Sequence, residues 1–304
     1  MADIKMKRYL TNIMLCSSMF CSLLASAADS VPYTITAGSS LIGTRENSKQ
    51  NVNIGFSSVF NEMLSSENIK CEFRDFDSSE ELAEALKKNQ INSMFGSPLE
   101  FIKSESLLMS SPLVSGVISN QQKSKILLLV RKDSEISAIG QLKNKKIASQ
   151  KWVIQDLGGL YLDTLLLEKK LPTADIYFSE IIKTQTSNAA LVSLFFKKAD
   201  VALLSESEFN IAAELNPQMR AQTRILIASE PYLVIVAALT KNTPADQTNA
   251  IKKNLLSIEN TSKGKNILRL MKMDGLREIN LTDLNNVREL VEKNKQLKVA
   301  NNAK

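Results

Sequence analysis

The sequence predicts an α/β protein with two lobes, each a mainly parallel sheet flanked by helices. Strand and helix patterns alternate through most of the chain, which is typical of βαβ units. Removal of a 27-residue leader from the 304 residues leaves 277, which exceeds one typical domain. Residues 233–239 form a wholly apolar run, as expected of a buried strand that re-enters a sheet.

The first 27 residues have the features of a secretory signal. Lys5, Lys7 and Arg8 give a basic start, residues 13–24 are mostly apolar, and 25–27 read Ala-Ser-Ala, a small-x-small cleavage site. A membrane anchor would need about 20 apolar residues, and this run is shorter and broken by serines. We therefore expect export and cleavage between Ala27 and Ala28.

Composition removes several classes of function. The leader carries +2 of the net charge of +6, and the basic residues that remain are dispersed among acidic ones, so no nucleic-acid partner is predicted. The chain has no histidine, which removes Ser-His-Asp and Cys-His catalysis and the usual imidazole metal sites. We predict no metal and no cofactor. Cys71, the one cysteine after the leader, is predicted to be a small buried hydrophobe rather than a nucleophile.

The first α/β units follow from short local signals. Residues 33–37 alternate as a strand, and apolar residues recur on one helical face through 56–64. After a strand at 70–76, Ser78 and Glu81 predict a capping box. A short strand at 93–95 is followed by a helix that Pro98 opens.

A second α/β unit is predicted to begin with the apolar strand 126–130. Strands are predicted at 176–182, 201–204 and 223–228, and helices at 156–167, 188–197, 251–258, 267–271 and 284–297.

Three stretches resemble the substrate-binding proteins of ABC importers, in the phosphonate and phosphite group with the type II periplasmic-binding fold. They are 92–98 (NSMFGSP), 127–134 (LLLVRKDS) with 142–148 (LKNKKIA), and 188–191 (NAAL) with 199–202 (ADVA). The resemblance implies a periplasmic protein with one lobe from 28–118 plus 235–304 and an inserted lobe from 119–234. It also implies a ligand site between the lobes.

The residues place the site at loops where strands end and helices begin. These loops are 38–45, 96–98, 149–156, 184–188 and 205–208. Ser39, Ser40 and Ser97 could donate hydroxyls to a ligand, although turn serines often bond their own backbone. Gly96 and Gln155 lie in the same loops.

Two larger side chains are candidates for the same site. Arg45 could pair with a carboxylate or sulfonate in bidentate fashion, with a solvated surface arginine as the alternative. Trp152, the only tryptophan, could stack on an apolar ligand body, with a packing anchor for its loop as the alternative.

The resemblance adds positions of its own. The family's histidine corresponds to Ser187, and its acid after the following strand corresponds to Ser205. The family's Ser/Thr-rich turn corresponds to 149–156, where the hydroxyl cluster is missing. There, Asp156 is expected to cap the next helix with negative charge and to repel an anion.

These observations predict a monomeric periplasmic solute-binding protein that captures a small molecule and delivers it to an ABC-type permease. An oxyanion and an organic anion are among the candidate ligands, and no catalysis is expected. One alternative is a ligand-sensing module for a membrane signalling receptor. Another is an enzyme on the same fold with Ser-Lys chemistry, although no Gly-x-Ser-x-Gly motif is present.

Overall fold

The computed structural model describes residues 31–40 and 49–302. Strands and helices alternate as far as the fourth strand, and the fifth strand follows directly. These elements are β1 Tyr33–Ser39, α1 Lys49–Leu64, β2 Ile69–Asp75, α2 Ser79–Lys87, β3 Ser93–Gly96, α3 Pro98–Ser104, β4 Leu108–Val117 and β5 Lys123–Arg131.

The remaining elements continue the alternation of strands and helices. They are β6 Lys146–Gln150, α4 Lys151–Gln155, α5 Leu157–Glu168, α6 Ala174–Tyr177, β7 Glu180–Thr184, α7 Ser187–Phe195, β8 Val201–Ser205, α8 Glu206–Leu215, α9 Pro217–Gln222, β9 Thr223–Leu233, β10 Val236–Thr240, α10 Ala245–Leu256, α11 Ser262–Leu270, β11 Gly275–Ile279 and α12 Asn285–Asn302.

The strands form two sheets, which confirms the predicted α/β class. One sheet has six strands in the order β11-β4-β10-β3-β1-β2, and the other has five in the order β7-β6-β8-β5-β9. Strands of the first sheet come from 33–117 and 236–279, and those of the second come from 123–233. The chain therefore passes from the first sheet to the second after β4 and returns after β9.

The sheets are more mixed than the predicted mainly parallel ones. β1 pairs with β3 in parallel, as β6 does with β7 and β8, but β5 is antiparallel to β8 and β9. β10 is likewise antiparallel to β3 and β4. These strands are antiparallel because each follows a crossing of the chain between the sheets. β10 starts opposite Gly96 at the end of β3, and β5 starts near Ser205 at the end of β8. Strands that start at this edge run against strands that end there.

Two other predicted strands need correction. Within 176–182, the chain first forms the helical turn α6, in which the buried Tyr177 hydroxyl donates to the Ile139 carbonyl at 2.7 Å, and only then β7. The apolar run 233–239 is interrupted because the chain crosses between the sheets there, so that β9 ends and β10 begins within it.

The predicted helix start at Ser78 is confirmed, but the capping box is incomplete because the Glu81 carboxylate accepts from the Asp77 backbone N–H instead of from that of Ser78. The Ser78 hydroxyl accepts a hydrogen bond from the Glu81 backbone N–H, and α2 buries Leu82, Ala85 and Leu86 against the first sheet. Burying such an apolar face is what stabilises a helix as short as this one. Within residues 31–40 and 49–302, no helix is both long enough and apolar enough to span a membrane.

The last helix, α12, packs against elements of both sheets. Val287 and Leu290 are buried in one cluster with Leu128 and Leu203 of the second sheet. Farther along α12, Asn294 Nδ2 donates to Thr164 Oγ1 of α5 at 3.0 Å. The same helix forms an ion pair between Arg288 and Glu105, which lies between α3 and β4. Helix α12 therefore bridges the two parts of the molecule.

Candidate functional site

A cavity of about 280 Å³ lies at the edge where the two sheets face each other. The starts of α3, α5, α7 and α8, the crossing segments and the end of α11 form its wall. The lining residues are Ser97, Pro98, Ile118, Ser124, Lys125, Ile126, Gln150, Val153, Asp156, Leu157, Gly158, Gln185, Thr186, Ser187, Asn188, Ser205, Ser207, Glu208, Ile211, Ala212, Leu215, Tyr232, Leu233, Val234, Ile235, Leu270 and Lys272.

On the side of the first sheet, a Ser-x-x-Glu pair closes the start of α3. The Ser97 hydroxyl accepts from the Glu100 backbone N–H at 3.1 Å, and Glu100 Oε2 accepts from the Ser97 backbone N–H at 2.8 Å. This is a complete capping box, followed by Pro98 in the first turn. The Glu100 carboxylate is thereby fixed behind the wall of the cavity.

Glu100 is 3% exposed, so its charge depends on hydrogen bonds for stabilisation. The Ser79 hydroxyl donates to its Oε1 at 2.7 Å, and Ser40 donates to the same atom. Gly96 leaves the space that the carboxylate occupies, because a Cβ there would lie 2.4 Å from Glu100 Oε2. The loops around Ser40 and Gly96 therefore hold the Glu100 carboxylate in position.

On the side of the second sheet, two hydroxyls converge on Glu208 in the first turn of α8. Ser205 donates to Glu208 Oε2 at 3.0 Å and Ser187 donates to the same oxygen at 2.5 Å. The Ser187 oxygen also lies 2.9 Å from Oε1 of Gln150. The Nε2 group of Gln150 donates to the Gln185 carbonyl. The ends of β6, β7 and β8 are thus joined by one polar network.

The strand that crosses between the sheets is tied into this wall. The Ser207 backbone N–H donates to the Ser124 hydroxyl at 3.1 Å, and the Ser124 and Ser207 hydroxyls are 3.3 Å apart. Both residues are buried. The start of β5 is therefore held against the start of α8.

Asp156 occupies the break between α4 and α5. It is the N-cap residue of α5 by position, but its side chain makes no capping hydrogen bond, so the expected role as a helix cap is wrong. The break is tight, since a Cβ on Gly158 would lie 2.7 Å from the Val153 carbonyl oxygen. The Asp156 carboxyl instead lies near Ser97 and Glu100 of the other sheet.

This position makes Asp156 the most perturbed acid at the site. Burial, followed by the Glu100 charge, raises the pKa of Asp156 to about 7, against a partly offsetting hydrogen bond with Ser97. Its Oδ2 is buried and has no hydrogen-bond partner among the described residues. Asp156 is therefore poised to lose or gain a proton near neutral pH.

Three of the predicted ligand residues are brought together here: Ser97, Ser187 and Ser205 all line the cavity. Ser39 is fully buried in β1, and it lies outside the lining, as do Ser40, Gly96 and the exposed Gln155 at the end of α4. Arg45 lies outside the described residues. Trp152 lies in α4, but its side chain is not among those described. The binding roles of all of these residues stay predictions.

The sequence reasoning missed Glu208, Glu100 and Gln150 as individual site residues. A signal for two of them was present. Ser97-x-x-Glu100 and Ser205-x-x-Glu208 both have the spacing of a capping box at the start of a helix after a strand. Gln150 carries no such signal, because its role arises only when β6 and β7 are neighbours. The assembled site offers carboxylate acceptors beside apolar surface, which suits binding of a small molecule.

The sequence matches a known protein family over most of its length. Residues 44–284 match the family model of ABC transporter, phosphonate, periplasmic substrate-binding proteins. By sequence, no curated protein is significantly similar to the chain.

Solved structures with the same fold are similar over nearly the whole chain. XAC2383 from Xanthomonas citri, bound to chloride ion, superposes with a TM-score of 0.69 at 14% identity, covering 88% of this chain and 99% of that one. A binding protein component of an ABC phosphonate transporter from Pseudomonas aeruginosa gives 0.66 at 13% identity, covering 90% of each chain. PhnD1 from Prochlorococcus marinus, in complex with methylphosphonate, gives 0.63 at 13% identity, covering 86% of this chain and 98% of that one. With its sequence matched over most of its length, the chain belongs to the family of periplasmic substrate-binding proteins of ABC phosphonate transporters.

Proposed function

We propose that this protein is a receptor that captures one small solute in the cavity between its sheets and releases it unchanged to an ABC-type permease. Family membership implies a periplasmic location and a small-molecule ligand, and the family consists of binding proteins. Export with cleavage before Ala28, a monomeric state and the absence of catalysis are our proposals for this chain. The mass of the protein recovered from its natural compartment tests the cleavage directly.

The observation that supports this function is the composition of the cavity wall. Ser97 lies on the side of the first sheet, Ser187 and Glu208 lie on the side of the second, and Ile118 and Val234 lie on the two crossing segments. We propose lobes at 28–118 plus 235–304 and at 119–234, with the crossings as hinges. A solute that contacts both lobes favours the closed arrangement if it binds that arrangement more tightly than the open one.

The experiment is recovery of the native solute. We expect protein purified from its natural host without unfolding to release one small compound on denaturation, identified by mass spectrometry. The substitution Ile211→Trp fills the cavity and should abolish retention of this compound. The matched control, Ile176→Trp, adds the same ring at a position that is 69% exposed and outside the lining. Retention by the Ile211 variant, or chemical conversion of the compound by the wild-type protein, would contradict the proposal.

A further inference from the structure

At three of the four helix starts around the cavity, those of α3, α7 and α8, one backbone N–H is already engaged by the protein. A helix start usually attracts anions because its first N–H groups have no partner. Here the Glu208 N–H donates to Ser205 Oγ, the Ala189 N–H donates to Thr186 Oγ1, and the Ser97 N–H donates to Glu100. An anionic ligand would have to displace these internal acceptors.

The acidic residues at the polar end of the cavity also disfavour an anionic ligand. Three of the four helices that begin here carry a carboxyl group at their start: Glu100, Asp156 and Glu208. The hydroxyls of Ser187 and Ser205 both serve Oε2 of Glu208, and its Oε1 has no partner among the described residues. Glu208 Oε1 and the buried Asp156 Oδ2 are therefore acceptors that a ligand donor can meet.

The cationic side chains in the described lining are two lysines, and neither forms an ion pair with Glu100, Asp156 or Glu208. Lys272 is exposed beyond the end of α11. Lys125 follows Ser124 in β5, and since the Ser124 side chain meets Ser207 of α8, that of Lys125 points to the opposite face of the strand. A metal ion is not indicated either, because the described residues contain no group of three acidic or cysteine side chains placed to hold one.

Helix α8 supplies an independent observation about the shape of the ligand. Glu208, Ile211, Ala212 and Leu215 all line the cavity, and this spacing places them on one helical face. The face begins with a carboxylate and continues as apolar surface for two turns, a length of about 10 Å. Leu270 faces the same cavity from α11. The part of the wall that α8 forms is therefore acidic at one end and apolar along the rest.

We propose that the solute is a small organic cation, an ammonium group on an apolar body, and that Glu208 is its counter-ion. The ammonium donates to Oε1 of Glu208, while Ser187 and Ser205 hold the other carboxylate oxygen in place. The body lies along Ile211 and Leu215. This inference rests on the proposed receptor function and names the class of its ligand.

Three probes with one six-carbon body separate the possible head groups: hexylammonium, 1-hexanol and hexylphosphonate. Titration calorimetry at pH 7.5 should show that hexylammonium binds at least tenfold more tightly than either of the others. Glu208→Gln keeps acceptors for both serines but removes the charge, and should weaken hexylammonium at least tenfold. Glu206→Gln, two residues earlier on the same helix and outside the lining, removes the same charge and should leave the affinity unchanged.

Preference for hexylphosphonate, unchanged hexylammonium affinity in Glu208→Gln, or no binding of hexylammonium would overturn the proposal. The receptor function is judged separately. Closure of the protein on hexylphosphonate would leave the receptor function standing and remove only the assignment to a cation. Retention of the native solute by Ile211→Trp would instead remove the cavity as the site.

Discussion

The Ser187 hydroxyl oxygen lies 2.5 Å from Glu208 Oε2 and thereby links the starts of two helices, α7 and α8. The same oxygen is 2.9 Å from Gln150 Oε1 at the end of β6. A serine has a single hydroxyl proton, so these two acceptors share it. Ser187 therefore holds together two polar side chains in the wall of the cavity, those of Glu208 and Gln150.

Replacing Ser187 with alanine should leave both acceptors without this donor. Because they are largely buried, we expect the free energy of unfolding to fall by roughly 1–3 kcal/mol, measured by urea denaturation. Ser193→Ala on the same helix is the control, since its hydroxyl only bonds the preceding turn at Ala189. An equal effect of the two substitutions would show that the network around Ser187 contributes nothing particular.

Asp156 predicts a pH-dependent stability. Its pKa of about 7 in the folded protein exceeds the ordinary value of 3.8, so the folded state binds the proton more tightly than the unfolded state does. Stability should therefore fall as the pH rises from about 4 to about 7 and stay at the lower level above that. The Glu100 charge opposes ionisation and Lys103 weakly favours it.

Asp156→Asn removes this titration. We expect the stability of the variant relative to wild type to increase by roughly 2–3 kcal/mol between pH 5 and pH 8 in urea denaturation. Asp175→Asn, which replaces an exposed acid on α6, is the control for removal of a carboxyl group. A difference between Asp156→Asn and wild type that does not change with pH would contradict the account of this site.

Cys71 should be chemically inert in the folded protein. Its side chain is buried, and burial, followed by the charge of Glu72, raises the pKa of its thiol to about 12. A thiol reagent should therefore label it only after unfolding, as followed by absorbance. Cys71→Ala should leave ligand binding intact and cost about 1–2 kcal/mol of stability for the small cavity created. Rapid labelling of the native protein would contradict the structural role.

The contact between α12 and α5 should contribute to stability. Asn294 and Thr164 are both buried and hydrogen-bonded to each other, so Asn294→Ala should destabilise the protein by about 1–3 kcal/mol. Lys293→Ala, the neighbouring control, breaks only the surface ion pair with Glu168 and should cost less than about 1 kcal/mol. Chemical denaturation distinguishes them, and equal losses would show that the buried pair has no special weight.

Local signals predicted most of the elements that begin with a cap. Ser78 with Glu81 and Pro98 in a first turn each fix a helix start with a few neighbouring residues, and both are as predicted. β4 and β11 were not predicted. In β4, the register against β10 shifts between Leu108 and Leu113, so a bulge takes up exposed residues that break the apolar alternation. Such a bulge is visible only against the partner strand.

The site could be predicted as a set of loops but not as a network. Ser97, Ser187 and Ser205 line the cavity while their binding roles stay predictions, and the two latter serines both donate to Glu208. Which acceptor a serine meets depends on which strands are neighbours, and the mixed pairing of β5 and β8 sets that. The position of the Asp156 carboxyl near Glu100 likewise depends on how the two sheets face each other.

Closure of the cavity on its solute is the central claim, and small-angle scattering tests it most directly. Protein freed of its solute by unfolding and refolding should show a smaller radius of gyration once it is saturated with the recovered compound. Trp152, the only tryptophan, should change its fluorescence in the same titration. Trp152→Ala should weaken binding by roughly 1–3 kcal/mol if the ring packs on the solute. An unchanged radius of gyration at saturation, together with full affinity in Trp152→Ala, would contradict both closure and this site.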